Sequence, residues 1–367
     1  MLPKSVTIIG GGLSGLTASL LLNRAGFEVT VIEKKTYPFH RVCGEYISNE
    51  VLPFLKSLNI DVANFQASII TELAITSPTG KVFRSSLDLG GFGLSRYTLD
   101  NFLYQKALAS GVKFLLGVKA NSVQLKEETF EIQLSDNSIA NSTIVIAAYG
   151  KRSNLDVGRK FFYQRSPYLG VKYHVKIDFP KNLVQLDNFE GGYCGTVKIE
   201  QDRYNLCYLT QNRQLKTYGS LAEMEKQVLF KNSILKERFL NADFLNEKPE
   251  VINEISFEKK PLVENHILYC GDAAGMISPL CGNGMAMAIH AAKVLCDTII
   301  EHFPNRQPIE QHYQYRWQKL FKNRLLAGRL TQKLFGKTIL SELAIKSLNT
   351  LPNLSNQIIK RTHGNPF

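Results

Sequence analysis

Hydrophobic and polar positions along the 367-residue chain follow two periods in turn. Val6, Ile8 and Ile9 form a short β-branched run, as a strand buried on both faces carries. Leu16, Leu20 and Leu21 follow at helical spacing, Gly26 closes that helix, and Val29, Val31 and Ile32 predict the next strand. Ser48 is placed to cap a helix to Leu58, with Val51, Leu52, Leu55 and Leu58 on one face. Ile69–Thr76 and Lys81–Ser85 predict a hairpin around Pro78-Thr79-Gly80. A glycine-rich stretch at 90–93 leads to a helix over 95–111, and strands are predicted at Val112–Leu116, Lys119–Leu125, Phe130–Leu134 and Ile139–Ala147. The middle third alternates apolar and polar residues over Tyr168–Ile177, Leu183–Phe189, Tyr193–Ile199 and Tyr204–Thr210, the pattern of an antiparallel sheet with one covered face. Leu221–Leu240 turns helical, Val251–Phe257 returns as a strand, and Ile267–Cys270 is a buried strand. A helix running to Phe303 follows, and Ile309–Leu348 is helical with interruptions near Gly328 and Gly336.

This order predicts an α/β fold: a Rossmann-like three-layer unit whose late strands rejoin the first sheet around an inserted antiparallel sheet, with C-terminal helices. The expected division is a discontinuous cofactor domain (1–75, 95–160 and 258–303), a substrate domain (76–94 and 161–257) and a basic helical cap (304–367).

Two stretches carry candidate chemistry. Gly10, Gly12 and Gly15 fit G-x-G-x-x-G between the first strand and helix. The first glycine suits the tight turn, the second lets backbone approach a pyrophosphate, and the third lets helix pack on strand. The helix N-terminus offers free N–H groups and a positive dipole end to phosphates. Glu33 ends the second strand, where an acid bonds ribose hydroxyls. By itself this loop fits NAD as well as FAD. The second stretch is GDAAGMISPLCGNGMAMAI, where Gly271-Asp272 ends a buried strand and Gly282 and Gly284 precede a helix.

Charge adds one expectation. The net charge is +12, and from Glu301 onward eleven Lys/Arg face three acids. Such a tail is a solvated helical face or a weak, salt-sensitive contact to an anionic membrane; no nucleic-acid partner is expected. The six scattered cysteines form no C-x-x-C pair, which argues against structural zinc and a disulfide framework. No stretch reads as a spanning helix or signal peptide, so a cytoplasmic protein, possible peripheral membrane contact aside, is the expectation.

GGGLSG together with GDAAGMISPLCGNG resembles the flavoprotein superfamily of p-hydroxybenzoate hydroxylase-type aromatic hydroxylases, flavin halogenases, geranylgeranyl reductases and related dehydrogenases. The resemblance covers essentially the whole chain. It implies tightly held FAD, with NAD(P)H or another electron donor left open. It carries cofactor binding over to Gly10, Gly12, Leu13, Ser14, Gly15, Glu33, Lys34, Arg41, Arg96, Gly271, Asp272, Pro279, Gly282, Asn283 and Gly284. Ser95-Arg96 and Asp100 resemble an R-x-x-x-D element whose arginine lies near the FAD phosphates. The family's mid-chain Asp-Gly stands here as Tyr149-Gly150, without the acid.

Cys43-Gly44-Glu45 resembles the C-G-[DE] loop of geranylgeranyl reductases, which borders flavin and substrate. A thiolate beside Arg41 is expected to have a lowered pKa and to serve as a proton donor. Cys43, Glu45 and Tyr193 are the candidate catalytic residues. His40 reads equally as an acid–base group or a loop side chain, while His290 and Cys281 read as packing. Of the reductases' aromatic signature only Tyr193 remains, and Trp317 is the one tryptophan, so the halogenase tryptophan element is absent. Two reactions fit: oxygen transfer from O2 to a small hydrophobic or aromatic substrate, slightly favoured, or reduction of a C=C bond in an isoprenoid or other apolar substrate. A non-catalytic flavin-binding or membrane-adaptor role is the third reading. Oligomeric state is not legible.

Overall fold

The computed structural model describes residues 2–157, 159, 167–255, 257–276, 282–334, 336–350 and 364–367. The chain opens with β1 (Ser5–Ile9), α1 (Leu13–Arg24), β2 (Glu28–Glu33), β3 (Tyr46–Ser48) and α2 (Leu52–Ser57). Then come β4 (Ser68–Thr76), β5 (Val82–Gly93), α3 (Arg96–Ala109), β6 (Lys113–Leu116), β7 (Ala120–Lys126), β8 (Thr129–Leu134), β9 (Ile139–Ser142) and β10 (Ile144–Ala147). The middle third supplies β11 (Tyr168–Lys176), β12 (Leu183–Phe189), β13 (Gly192–Lys198), β14 (Tyr204–Gln211), α4 (Asn212–Tyr218), α5 (Leu221–Gln227), α6 (Ser233–Leu240), β15 (Asp243–Phe244) and β16 (Glu250–Ile255). β17 (Val263–Glu264), β18 (Ile267–Tyr269), α7 (Gly284–His302), α8 (Arg306–Leu334) and α9 (Thr338–Thr350) complete it.

The first sheet has the order β17-β18-β10-β1-β2-β6, parallel apart from β17. Both faces of β1 are covered. Val6 and Ile8 pack with Leu16 of α1, Leu99 and Leu103 of α3, and Ile289 and Leu295 of α7. Ile9, Ile32 and Val145 pack on the other side against Phe130, Ile132 and Leu134 of the β7-β8-β9 sheet. Helices, parallel sheet and small sheet make the three layers.

The second sheet runs β15-β11-β14-β13-β12-β4-β5-β3, with β16 also on β11. It is antiparallel except that β12 pairs parallel with β4. Alternation sorts its two faces. Leu169 and Val171 of β11, with Leu206 and Tyr208 of β14, pack under Met224, Leu235 and Phe239 of α5 and α6. The residues between them turn toward the cofactor half.

Two elements differ from the sequence expectation: the strand expected over Ile139–Ala147 splits into β9 of the small sheet and β10 of the parallel sheet, and the interruption expected near Gly328 is absent. The glycine-rich stretch at 90–93 continues β5, and its glycines let other chain segments approach closely. A Cβ at Gly91 would collide with the Tyr46 ring, and one at Gly93 with the Lys198 carbonyl. The C-terminal helix also runs unbroken through Gly328, and the chain turns only at Gly336.

Asn232 pins the helical layer to the sheet. Its Oδ1 accepts from the N–H groups of Ile234 (3.0 Å) and Leu235 (3.3 Å), and its Nδ2 donates to the carbonyls of Ser77 (3.2 Å) and Asn188 (3.0 Å). Asn232→Ala removes a cap and strands two buried carbonyls, so equilibrium urea unfolding is expected to show a loss of about 2–3 kcal/mol. A loss under ~0.5 kcal/mol, the range of ordinary surface substitutions, would contradict this assignment.

Candidate active site

β1 lies between β10 and β2, so strand order reverses beside it. A crevice therefore opens at the carboxyl ends of these strands, where open α/β sheets take their ligands. The fingerprint loop lines it. Gly10 has φ +105°, and a Cβ there would press on the Ala148 carbonyl; a Cβ at Gly15 would collide with the carbonyl of Gly10. α1 starts after Gly12 with no side-chain cap, which leaves its first N–H groups for a ligand.

Charged side chains brace this loop from below. Glu33 Oε2 accepts from Gly11 N at 2.9 Å and from Arg41 Nη2 at 3.1 Å, and its Oε1 accepts from Lys35 N at 3.1 Å. The Tyr37 hydroxyl donates to the Gly11 carbonyl at 2.5 Å, and burial raises its pKa, with Glu33 adding to the rise. Arg96 forks onto Asp100 with two bonds of 2.7 Å, and Arg41 Nε adds a third at 3.1 Å. The Arg96 guanidinium lies 3.6 Å from where a Gly12 Cβ would stand, so it borders the predicted phosphate path. Lys34 is exposed.

Asp272 reaches the crevice from β18. Gly271 has φ +62°, and a Cβ there would collide with Ser14 Oγ, so the second motif packs on the start of α1. The Asp272 carboxylate is half-buried and accepts no hydrogen bond among the described residues, which leaves it for a ligand hydroxyl. Lys260, buried, holds the loop: its Nζ donates to the carbonyls of Lys151 (2.7 Å) and Asp272 (2.8 Å). Burial lowers its pKa to about 8 against the opposing pull of Asp272. Tyr149, in place of the expected acid, donates to Asp156 at 2.5 Å, and Asp156 pairs with Arg159 at 2.9 Å. Pro279 and Cys281 lie outside the described residues. Gly282 rests against the Tyr46 ring, and buried Asn283 bonds Glu50 just before α7 opens at Gly284. Glu50 also takes Arg324 at 2.9 Å and the Gly364 N–H, while Phe367 stacks on His290 at 3.8 Å.

Glu45 is the most constrained residue here. It is fully buried at φ +56°. Oε1 accepts from Lys172 Nζ at 2.9 Å and Arg96 N at 3.0 Å; Oε2 lies 2.6 Å from His174 Nε2. Burial alone would raise its pKa, but Lys172 and His174 outweigh it and hold the carboxyl at about 2. His40 meets His174 edge-on at 5.2 Å, and burial lowers its pKa. The Cys43 carbonyl accepts from Asn205 Nδ2 at 3.0 Å.

One expectation is corrected. The Cys43 pKa is raised, because burial outweighs the opposing pull of the Arg96 guanidinium. Arg41 instead engages Glu33 and Asp100. Cys43 is thus a neutral thiol at neutral pH.

Register places the rest of the wall. Gly170, Leu209 and Tyr193 align in one row, and Lys172, Cys207 and Gly195 in the next. Tyr193, Leu209, Ile255 and Met276 form an apolar cluster beside the charged row. Sequence reading missed Lys172, His174, Lys260, Glu50 and Arg324. The one available signal was a charged residue and a histidine two apart within an otherwise apolar strand.

Two outcomes are expected. Asp272→Ala and Lys260→Met each weaken FAD uptake by the apoprotein at least tenfold in a flavin-fluorescence titration; unchanged affinity would remove the residue from the site. Glu45, held below its ordinary 4.5, contributes stability that is present above that pH and lost as pH falls toward about 2. Glu45→Gln therefore flattens this acid limb of the unfolding profile, and Lys172→Met costs about 3–5 kcal/mol by stranding the carboxylate.

The family model described as FAD binding domain matches residues 4–318. A digeranylgeranylglycerophospholipid reductase of Methanococcus vannielii is 21% identical over 94% of this chain and 89% of that protein. The flavin-dependent brominase Bmp2 superposes with a TM-score of 0.79 at 16% identity, covering 97% of this chain and 92% of Bmp2. PqsL of Pseudomonas aeruginosa, described as a probable FAD-dependent monooxygenase, gives 0.72 at 16%, covering 94% and 99%. These structural likenesses fix the fold. With the family model spanning most of its length, the chain belongs to the FAD binding domain family and is an FAD-dependent oxidoreductase.

Proposed function

We propose that the protein is an FAD-dependent monooxygenase acting on a small apolar or aromatic organic substrate. The observation that carries this reading is the apolar wall of Tyr193, Leu209, Ile255 and Met276, on the sheet face turned toward the cofactor half. When bound, reduced FAD supplies the two electrons that divide O2 between substrate and water. Glu33, Arg96 and Asp272 would hold it, with the glycine loop on its pyrophosphate. This chain's residues then exclude water and orient the substrate. The charges beside the wall are already engaged: Glu45 is held by Lys172, His174 and the Arg96 N–H. The apolar wall thus favours an uncharged substrate, since a buried unpaired charge is costly.

Turnover with 18O2 tests this. One labelled oxygen in the product is expected; a product formed without oxygen, carrying two added hydrogens, would overturn it.

The neutral Cys43 thiol favours a second reading, reduction of a C=C bond with Cys43 as proton donor. On that reading Cys43→Ala lowers anaerobic reduction by about 10²-fold or more, and unchanged turnover eliminates the role.

A further inference from the structure

The outer faces of the last two helices combine greasy and basic side chains. On α8, Tyr315, Lys319, Lys322, Leu326 and Leu330 are exposed at spacings of three and four, so they form one stripe. The opposite stripe, with Tyr313, Trp317, Phe321 and Leu325, is buried in the main core. On α9, Ile339, Leu343 and Lys346 form an equivalent exposed stripe, while Ile345 and Leu348 pack on Ile75 and Phe83 of the substrate sheet. Exposure is high: 76% for Ile339, 56% for Leu330, 55% for Leu343 and 53% for Leu326. The end of one stripe and the start of the other meet at the Gly336 turn, which is fixed to the sheet by the Gly191 N–H donating to the Gly336 carbonyl at 2.8 Å.

Charge decides what such a surface fits. From 311 to 350 the chain has one acid, Glu342, and it is engaged by Thr79 at 2.7 Å and Lys81 at 3.3 Å. Lys319, Lys322, Lys337 and Lys346 are exposed and make no ion pair among the described residues. No described helix is long and apolar enough to cross a membrane. Leucines set among unpaired lysines suit an interface where the apolar groups enter the acyl boundary and the ammonium groups meet phosphate headgroups.

We infer that the α8–α9 corner is a peripheral docking surface for an anionic lipid bilayer. It carries its own apolar anchor and is not the purely electrostatic, solvated tail that charge alone suggests. Its position bears on substrate delivery. Leu186, which backs the α9 contact at Ile75 and Phe83, also packs on the apolar wall with Tyr193 and Met276. The docked corner would thus stand next to the site.

Vesicle co-sedimentation of the FAD-loaded full chain tests this. Binding to phosphatidylcholine vesicles containing phosphatidylglycerol, with little binding to phosphatidylcholine alone, is expected. Lys319→Glu with Lys322→Glu should weaken binding about tenfold or more at low salt. Leu326→Asn with Leu343→Asn should weaken it at every salt concentration, with flavin absorbance and unfolding midpoint retained. Failure to bind anionic vesicles would overturn the proposal. So would a concentration-dependent dimer in sedimentation velocity that the leucine variant dissociates, since a second copy would then be the occupant.

Discussion

The joint on which both halves of the molecule depend is the buried Glu45 carboxylate. A glutamate at φ +56° costs on the order of 1–3 kcal/mol and persists only where its surroundings over-determine it. Three donors do so here, two from the substrate sheet and one from the first turn of α3. From that point the contacts continue without a gap. Arg96 passes from its N–H on Glu45 to its guanidinium on Asp100, Asp100 binds Arg41, Arg41 binds Glu33, and Glu33 receives the Gly11 N–H. One polar chain therefore runs from a strand of the substrate sheet to the loop built for a pyrophosphate. Its members are paired by distance and charge, and each pairing constrains the next.

How much of this was legible follows from sequence separation. The Gly10–Gly15 loop, its strand and its helix lie within a few residues of one another, so local spacing revealed them. The same holds for Gly271-Asp272 and the start of α7. Glu45 meets Lys172 across 127 residues and His174 across 129, and no local period records such a meeting. Lys260 was missed for a related reason: its role is to join two loops by their carbonyls, and carbonyls carry no residue identity. Cys43 was located, but its direction of titration was misread. An arginine two positions away is visible in a sequence, whereas burial of the thiol and the course of the Arg41 side chain are properties of the packed state. The 90–93 glycines carry no element of their own in the local pattern. Glycine marks both loops and close approaches of backbone, and here the approach of Tyr46 and Lys198 decides for strand.

The missing acid at Tyr149 shows how the fold absorbs a departure from its family pattern. Tyr149 turns its hydroxyl to Asp156, which Arg159 neutralises, and Arg159 in turn lies over the Tyr269 ring at 3.8 Å. This closes the space behind β10 and β18 without a free charge. Lys260 then ties the loops after those two strands to one another, so the position of Asp272 does not rely on an acid at 149.

The consequence is a selective allocation of polarity. Around the crevice, Glu33, Glu45, Asp100 and Asp156 are all engaged by protein donors, and Glu50 is closed off behind Asn283 by Arg324 and the Gly364 N–H. Among the described residues, the backbone N–H groups at the start of α1 and the Asp272 carboxylate stay open to a ligand and match a diphosphate and a hydroxylated chain respectively. Across from them the sheet offers Tyr193, Leu209 and Ile255. A buried charge left unpaired beside that apolar wall would draw in water or a counter-ion. Pairing each one inside the protein keeps the substrate side dry while the cofactor side stays polar. The exposed lysines of the α8–α9 corner, by contrast, lie where solvent or an anionic surface can neutralise them.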